Sequence, residues 1–174
     1  MVNRVWYVIV GIIVVGLAAA AVVLAVTRPG GPIGLGGLAP GPRPASFTTD
    51  GERIYYTGRD GSGKQIAFTG GPSWLTMHGG SCVDCHGPDG RGGKYVVAGA
   101  VAPTDIRYST LTEEEEDMDH PPFTDATIKR AIVEGLDPGD HPLDLTMPRW
   151  DMSDRDLDDV ISYLKQLGEE KGEQ

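Results

Sequence analysis

The chain has 174 residues, enough for one domain and its extensions, with 25 Gly, 13 Pro and a formal charge of −10. All 25 acidic residues follow residue 46, together with 12 of the 15 basic ones, so that part of the chain carries −13. So acidic a surface repels phosphate and excludes nucleic acid as a partner.

Val5 to Val26 is an uninterrupted apolar run of 22 residues. As a helix it is long enough to cross a hydrocarbon core of about 30 Å. Trp6 and Tyr7 sit at one end, where amphipathic rings prefer the interface. The apolar region of a cleaved signal peptide is shorter, about 7–15 residues. A transmembrane anchor is therefore expected over residues 1–27, with its span at 5–26. Arg4 and Arg28 flank it on either side, so the positive-inside rule does not orient it. Residues 28–46 alternate Pro and Gly (Pro29, Gly30, Gly31, Pro32, then Pro40, Gly41, Pro42, Pro44) and read as a linker with little to bury.

A globular domain is expected over 47–168, followed by a polar tail at 169–174. Asp50 caps a helix through Ile54, Tyr55 and Tyr56. A β-hairpin pairing Arg53–Thr57 with Gln65–Thr69 is the rival local reading. Gly58 to Gly63 is rich in turn residues, and Pro72-Ser73-Trp74-Leu75 leads into Cys82-Val83-Asp84-Cys85-His86.

That last stretch is C-x-x-C-H, the attachment pattern of a c-type haem. Two thiols three positions apart on a helical turn can each form a thioether to one haem vinyl group. The next residue, His86, then supplies an axial nitrogen to the iron. Both cysteines of the chain are used, leaving none for a disulfide. A thioredoxin-like dithiol would need a strand before Cys82, which Thr76 to Ser81 does not resemble. A zinc site of two thiolates and two imidazoles would need a distant histidine. Gly87 to Gly93 is glycine-rich but is no phosphate loop, because Tyr95 follows Lys94 where Ser or Thr is required.

Glu113 to Asp117 is an acidic run that reads as a solvated face. Thr124 caps a helix carrying Ile128, Ala131 and Ile132 on one side, with Phe123 stapled to Ile128 and Gly135 as the stop. In the last helix Ser153 and Asp156 form a capping arrangement. Leu157, Val160, Ile161, Leu164 and Leu167 make one apolar stripe there, and Gly168 is the expected end.

Three features resemble the mitochondrial-type monohaem cytochromes c of bacterial respiratory chains. They are Cys82-x-x-Cys85-His86-Gly87 with its Gly/Pro/Asp loop, the Thr146-Met147-Pro148 loop, and the capped C-terminal helix bearing Tyr163-Leu164. Gly51 and Tyr55 match the family's first helix, which favours helix over hairpin there. The resemblance covers roughly Phe47 to Leu167, but residues 58–81 lengthen the path from that helix to Cys82. They suggest a lid over the haem edge or a partner surface.

The resemblance implies an all-α cytochrome c fold wrapped round one covalent haem c, preceded here by the single transmembrane helix. It implies electron transfer and no small-molecule substrate: a carrier, not an enzyme. Donor and acceptor would be redox proteins such as a quinol-oxidising complex and a terminal oxidase. The alternative is a fixed haem-bearing subunit of a multi-subunit respiratory oxidoreductase complex. Haem of this type is attached outside the cytoplasm. The domain is thus expected on the extracytoplasmic (periplasmic) side of a bacterial cytoplasmic membrane, with the N-terminus inside. The same resemblance makes Met147 the preferred distal iron ligand, ahead of Met152, His141, Met77, Met118, His120 and His78. It makes Pro103 the residue whose carbonyl holds the axial His86. Trp150 and Arg149 are its candidate donors to a haem propionate.

Overall fold

The computed structural model describes residues 43–93, 100–114 and 119–169, all within a unit spanning Pro40–Gln174. Six helices and two short strands make up this part. They are α1 (Asp50–Thr57), β1 (Phe68–Thr69), α2 (Ser73–His78), α3 (Val83–His86), α4 (Tyr108–Leu111), α5 (Asp125–Val133), β2 (Arg149–Trp150) and α6 (Asp154–Glu169).

The helices start where side chains satisfy free backbone N–H groups. Thr49, one residue before the expected Asp50, caps α1 by accepting from the Glu52 N–H at 3.1 Å. Asp50 then lies in the first turn, where its charge suits the positive end of the helix. Thr124 caps α5 reciprocally with Thr127, and Gly135 beyond it adopts a positive φ of 70°. Ser153 Oγ accepts from the Asp156 N–H at 3.2 Å to open α6. That helix runs on through Gly168, the expected stop, to Glu169.

The stripe of α6 is buried as its spacing requires: Leu157, Val160, Ile161 and Leu164 all lie inside. Val160, Ile161 and Leu164 meet Ile54, Tyr55 and Tyr56 of α1 and Val83 of α3 in one core cluster, with Leu167 partly buried against it. Each such aliphatic side chain contributes roughly 1.5–3 kcal/mol by leaving water. The two helix backbones approach closely at Gly51. A Cβ there would lie 2.0 Å from the Asp159 carbonyl oxygen. Tyr55 packs tilted on Tyr163 with ring centroids 5.2 Å apart. Helix, not hairpin, holds at 53–57, and the inserted residues do not disrupt its contact with α6.

The insertion takes a different place from a free lid. Its β1 pairs antiparallel with β2, Phe68 opposite Trp150 and Thr69 opposite Arg149. The Phe68 and Trp150 rings pack tilted at 52°, with centroids 4.8 Å apart. Gly71 N–H donates to the Leu145 carbonyl at 3.1 Å, and Leu75 is fully buried. The insertion therefore braces the segment around Met147 from outside.

The domain is helical as expected, with two strands of two residues each as its small sheet. One correction to the expected fold follows, the transmembrane helix: no helix among the described residues is long and apolar enough to cross a membrane. The 5–26 segment itself, most of the 28–46 linker, part of the acidic run and the 170–174 tail lie outside the described residues.

Gly51→Ala tests the α1–α6 approach. Alanine inside a helix ordinarily gains about 1 kcal/mol over glycine. Here the close contact should reverse the sign and cost about 1–3 kcal/mol through overpacking. Thermal unfolding of the two proteins checks this, and a raised midpoint for the variant contradicts the contact.

Candidate functional site

Cys82, Cys85 and His86 sit on one helical turn, with the Cys85 and His86 N–H groups both donating to the Cys82 carbonyl, at 3.2 and 2.9 Å. Neighbouring elements hold this turn at each end. Before it, the Asp84 carboxylate accepts from the Ser81 hydroxyl at 2.6 Å and N–H at 3.0 Å, and pairs with Arg43 at 2.8 Å. After it, Tyr55 Oη donates to the Gly87 carbonyl at 2.6 Å and Tyr56 Oη to the Pro88 carbonyl at 3.2 Å. The Tyr55 side chain is wholly buried, and burial raises its hydroxyl far above the ordinary tyrosine range, so it stays a donor.

His86 is 7% exposed. Its Nδ1 lies 2.9 Å from the Thr104 carbonyl. A carbonyl can only accept, so Nδ1 carries the proton and Nε2 bears the lone pair. Burial holds the imidazole below its usual pKa, against the opposing pull of the Thr104 carbonyl and Asp105. The ring is thus a neutral ligand with a fixed orientation, and the carbonyl behind it raises its basicity.

This assigns to Thr104 the carbonyl role expected of Pro103. The Pro103 carbonyl instead accepts from the Gly93 N–H at 2.7 Å. The register follows from Gly92, whose φ is 61°. A Cβ on it would come within 2.1 Å of the Pro103 oxygen and 2.5 Å of the Thr104 oxygen. The glycine loop after the cysteine turn therefore presses directly on the segment that supplies the acceptor.

Burial pushes Cys82 up to about 12, and burial with the nearby Asp84 charge pushes Cys85 up to about 11. A redox dithiol needs a depressed thiol pKa, which this pair does not have. One further observation fits a haem. Trp74 Nε1 is buried without a hydrogen-bond partner. Leaving such a donor unpaired costs about 1–3 kcal/mol, and a haem carries carboxylates that would accept from it. Neither sequence periodicity nor a motif singled out Trp74.

Met147 is half-buried and packs against the core cluster, as does Met152. Of the other ligand candidates, Met77 is 73% exposed. His78 is exposed as well; His120, half-buried, is engaged with the Pro121 carbonyl, and His141, exposed, with the Asp137 carboxylate. Met118 lies outside the described residues. Trp150 is buried against Phe68 in the core. The terminal nitrogens of Arg149 donate to backbone carbonyls, those of Asp144, Met147, Gly135 and Leu143.

Comparison with known proteins gives one match. A family model described as Cytochrome c matches residues 61–168, a stretch that takes in the cysteine turn, Met147 and α6 up to Gly168 and begins after α1. No curated protein and no solved structure matches the chain.

Tyr55→Phe should isolate the hold on the cysteine turn. It leaves the Gly87 carbonyl without its short hydrogen bond and should cost about 1–3 kcal/mol. Tyr56→Phe removes a longer bond and should cost less. Equal midpoints for wild type and Tyr55→Phe in denaturant titration contradict this role.

Proposed function

The chain belongs to the cytochrome c family, and from that premise we propose that it relays single electrons in a bacterial respiratory chain. It carries covalently bound haem c on Cys82 and Cys85, which show the C-x-x-C-H spacing, and it is an electron carrier. We place it on the extracytoplasmic side of the cytoplasmic membrane. There it would take electrons from a quinol-oxidising complex or another donor protein and pass them to a terminal oxidase or another acceptor.

When bound, the haem supplies a one-electron iron couple. The chain's own residues set the conditions for that couple. The observation that carries the reading is His86, buried, neutral and oriented by Thr104 so that the lone pair of its Nε2 is left to ligate. In this proposal Met147 supplies the opposite ligand. Its thioether stabilises ferric iron less than a second imidazole would, which raises the potential. Were His86 and Met147 both to hold the iron, no position there would be left for a small molecule, and the haem would supply electron transfer alone. The partner side of the proposal is supported by charge: the chain beyond residue 46 carries −13. Such a surface steers a basic partner into encounter.

Two experiments bear on this. In the ferric protein, Met147→Ala should abolish the weak far-red band of sulfur ligation, lower the potential and admit carbon monoxide to the ferrous form, while Met152→Ala keeps the band. The opposite pattern would move the ligand to Met152. Electron transfer to a basic partner should slow as ionic strength rises, since screening shortens the reach of the acidic surface to about 10 Å at 0.1 M salt. A rate indifferent to salt counts against docking by charge.

A further inference from the structure

The Arg149 side chain has an unusual set of partners. Its Nη1 donates to the Asp144 carbonyl at 3.1 Å and to the Met147 carbonyl. Its Nη2 donates to the Leu143 carbonyl at 2.9 Å and to the Gly135 carbonyl at 3.3 Å. Each acceptor is a main-chain oxygen, and together they span the whole connection from the end of α5 to the residue before Pro148. Short turns use some of these groups as well: Leu143 N–H donates to the Gly135 carbonyl at 2.8 Å and Met147 N–H to the Asp144 carbonyl at 3.1 Å, and Arg130 donates to the Asp137 carbonyl. One planar guanidinium, with donors in a fixed fork, ties the separate turns together.

Two other residues are shaped for this arrangement. Gly135, with φ of 70°, lies so close that a Cβ on it would fall 2.0 Å from Arg149 Nε and 2.2 Å from Cζ. Only glycine leaves room for the guanidinium there. On the other side, Arg149 itself is fixed by pairing with Thr69 across the small sheet. The insertion thus holds Arg149, and Arg149 holds the loop.

We infer that Arg149 is the positioning residue of the distal side: by gathering the carbonyls of residues 135–147 it keeps Met147 in the one placement from which its sulfur stays on the iron. The inference rests on the reading of Met147 as the distal ligand. A guanidinium remains charged at every accessible pH. The brace is therefore constant, and its strength shows in competition between Met147 and an added ligand. An outside ligand enters only from the fraction of molecules whose Met147 has left, and its apparent affinity scales with that fraction.

The test titrates the ferric holoprotein with imidazole and follows loss of the far-red sulfur band. Arg149→Gln, which removes the charge and most of the donors, should bind imidazole about tenfold more tightly, the equivalent of about 1.4 kcal/mol in the loop equilibrium. Arg149→Lys keeps the charge, but one ammonium cannot span four carbonyls, so it should shift in the same direction by less. Gly135→Ala leaves Arg149 in the sequence but pushes the guanidinium out, and should also tighten imidazole binding. A purely structural contribution would lower the unfolding midpoint of these variants and leave imidazole affinity at the wild-type value, which overturns the inference. If Arg149→Gln does not accumulate as folded holoprotein, Arg149→Lys decides. Met147→Ala separates the two levels. If it keeps the band, the ligand assignment fails. If it loses the band while the Arg149 variants bind imidazole as wild type does, only the role of Arg149 fails.

Discussion

A buried neutral imidazole offers one lone pair, and the hydrogen bond made by its other nitrogen decides where that lone pair points. In this chain the Thr104 carbonyl makes that decision for His86. Much of the described structure can be traced back to keeping these two groups in register. Gly92 lets the loop after His86 lie flat on residues 103 and 104. Ile106 N–H donates to the Gly90 carbonyl at 2.8 Å and extends the same contact. Tyr55 and Tyr56, from α1, fasten the start of that loop. The helix that carries them is fixed in turn by its approach to α6 at Gly51. The order of dependence runs from helix packing, through two phenol hydroxyls, to the tautomer of one ring.

The two faces of the site are built by different means. The histidine side is made of side chains wholly inside the core: Tyr55, Ile54 and Val83. The methionine side is made of backbone, a loop whose carbonyls converge on one arginine and whose outer edge is paired to the insertion. The first arrangement draws on apolar burial, which is non-directional and cooperative. The second draws on directional hydrogen bonds, each of which contributes little net stability but fixes geometry.

What the sequence disclosed was what depends on near neighbours. The cysteine turn, the Thr124 and Ser153 caps and the stripe from Leu157 to Leu167 follow from spacings of three and four, and the structure contains all of them. The carbonyl behind His86 was misplaced by one residue, because which oxygen faces the ring depends on how two loops dock. Arg149 and Trp150 are neighbours in the sequence with different surroundings in the fold. Neighbours on a strand point to opposite faces. The indole goes to Phe68 in the core and the guanidinium to the Met147 loop. The sheet itself was unreadable: two-residue strands have no period, and Phe68 and Trp150 lie far apart along the chain. The orphaned Trp74 nitrogen left no mark in the sequence, since a missing partner is a property of the folded surroundings alone.

The contrast between the two faces sets how the molecule fluctuates. Local opening in proteins ranges from nearly free at exposed backbone to the full unfolding energy in the core. The loop from residue 136 to 148 exposes His141, Asp144 and 81% of Leu145, and is tied by hydrogen bonds among its own turns, by Asp137, Arg130 and Arg149 and by the short sheet, more than by core packing. The turn of Cys82 to His86 is tied to the deepest helices. Amide exchange should accordingly be fast across the loop and slow through α1 and α6. Opening of this kind would displace the Met147 loop first, while the turn that carries His86 would keep time with global unfolding.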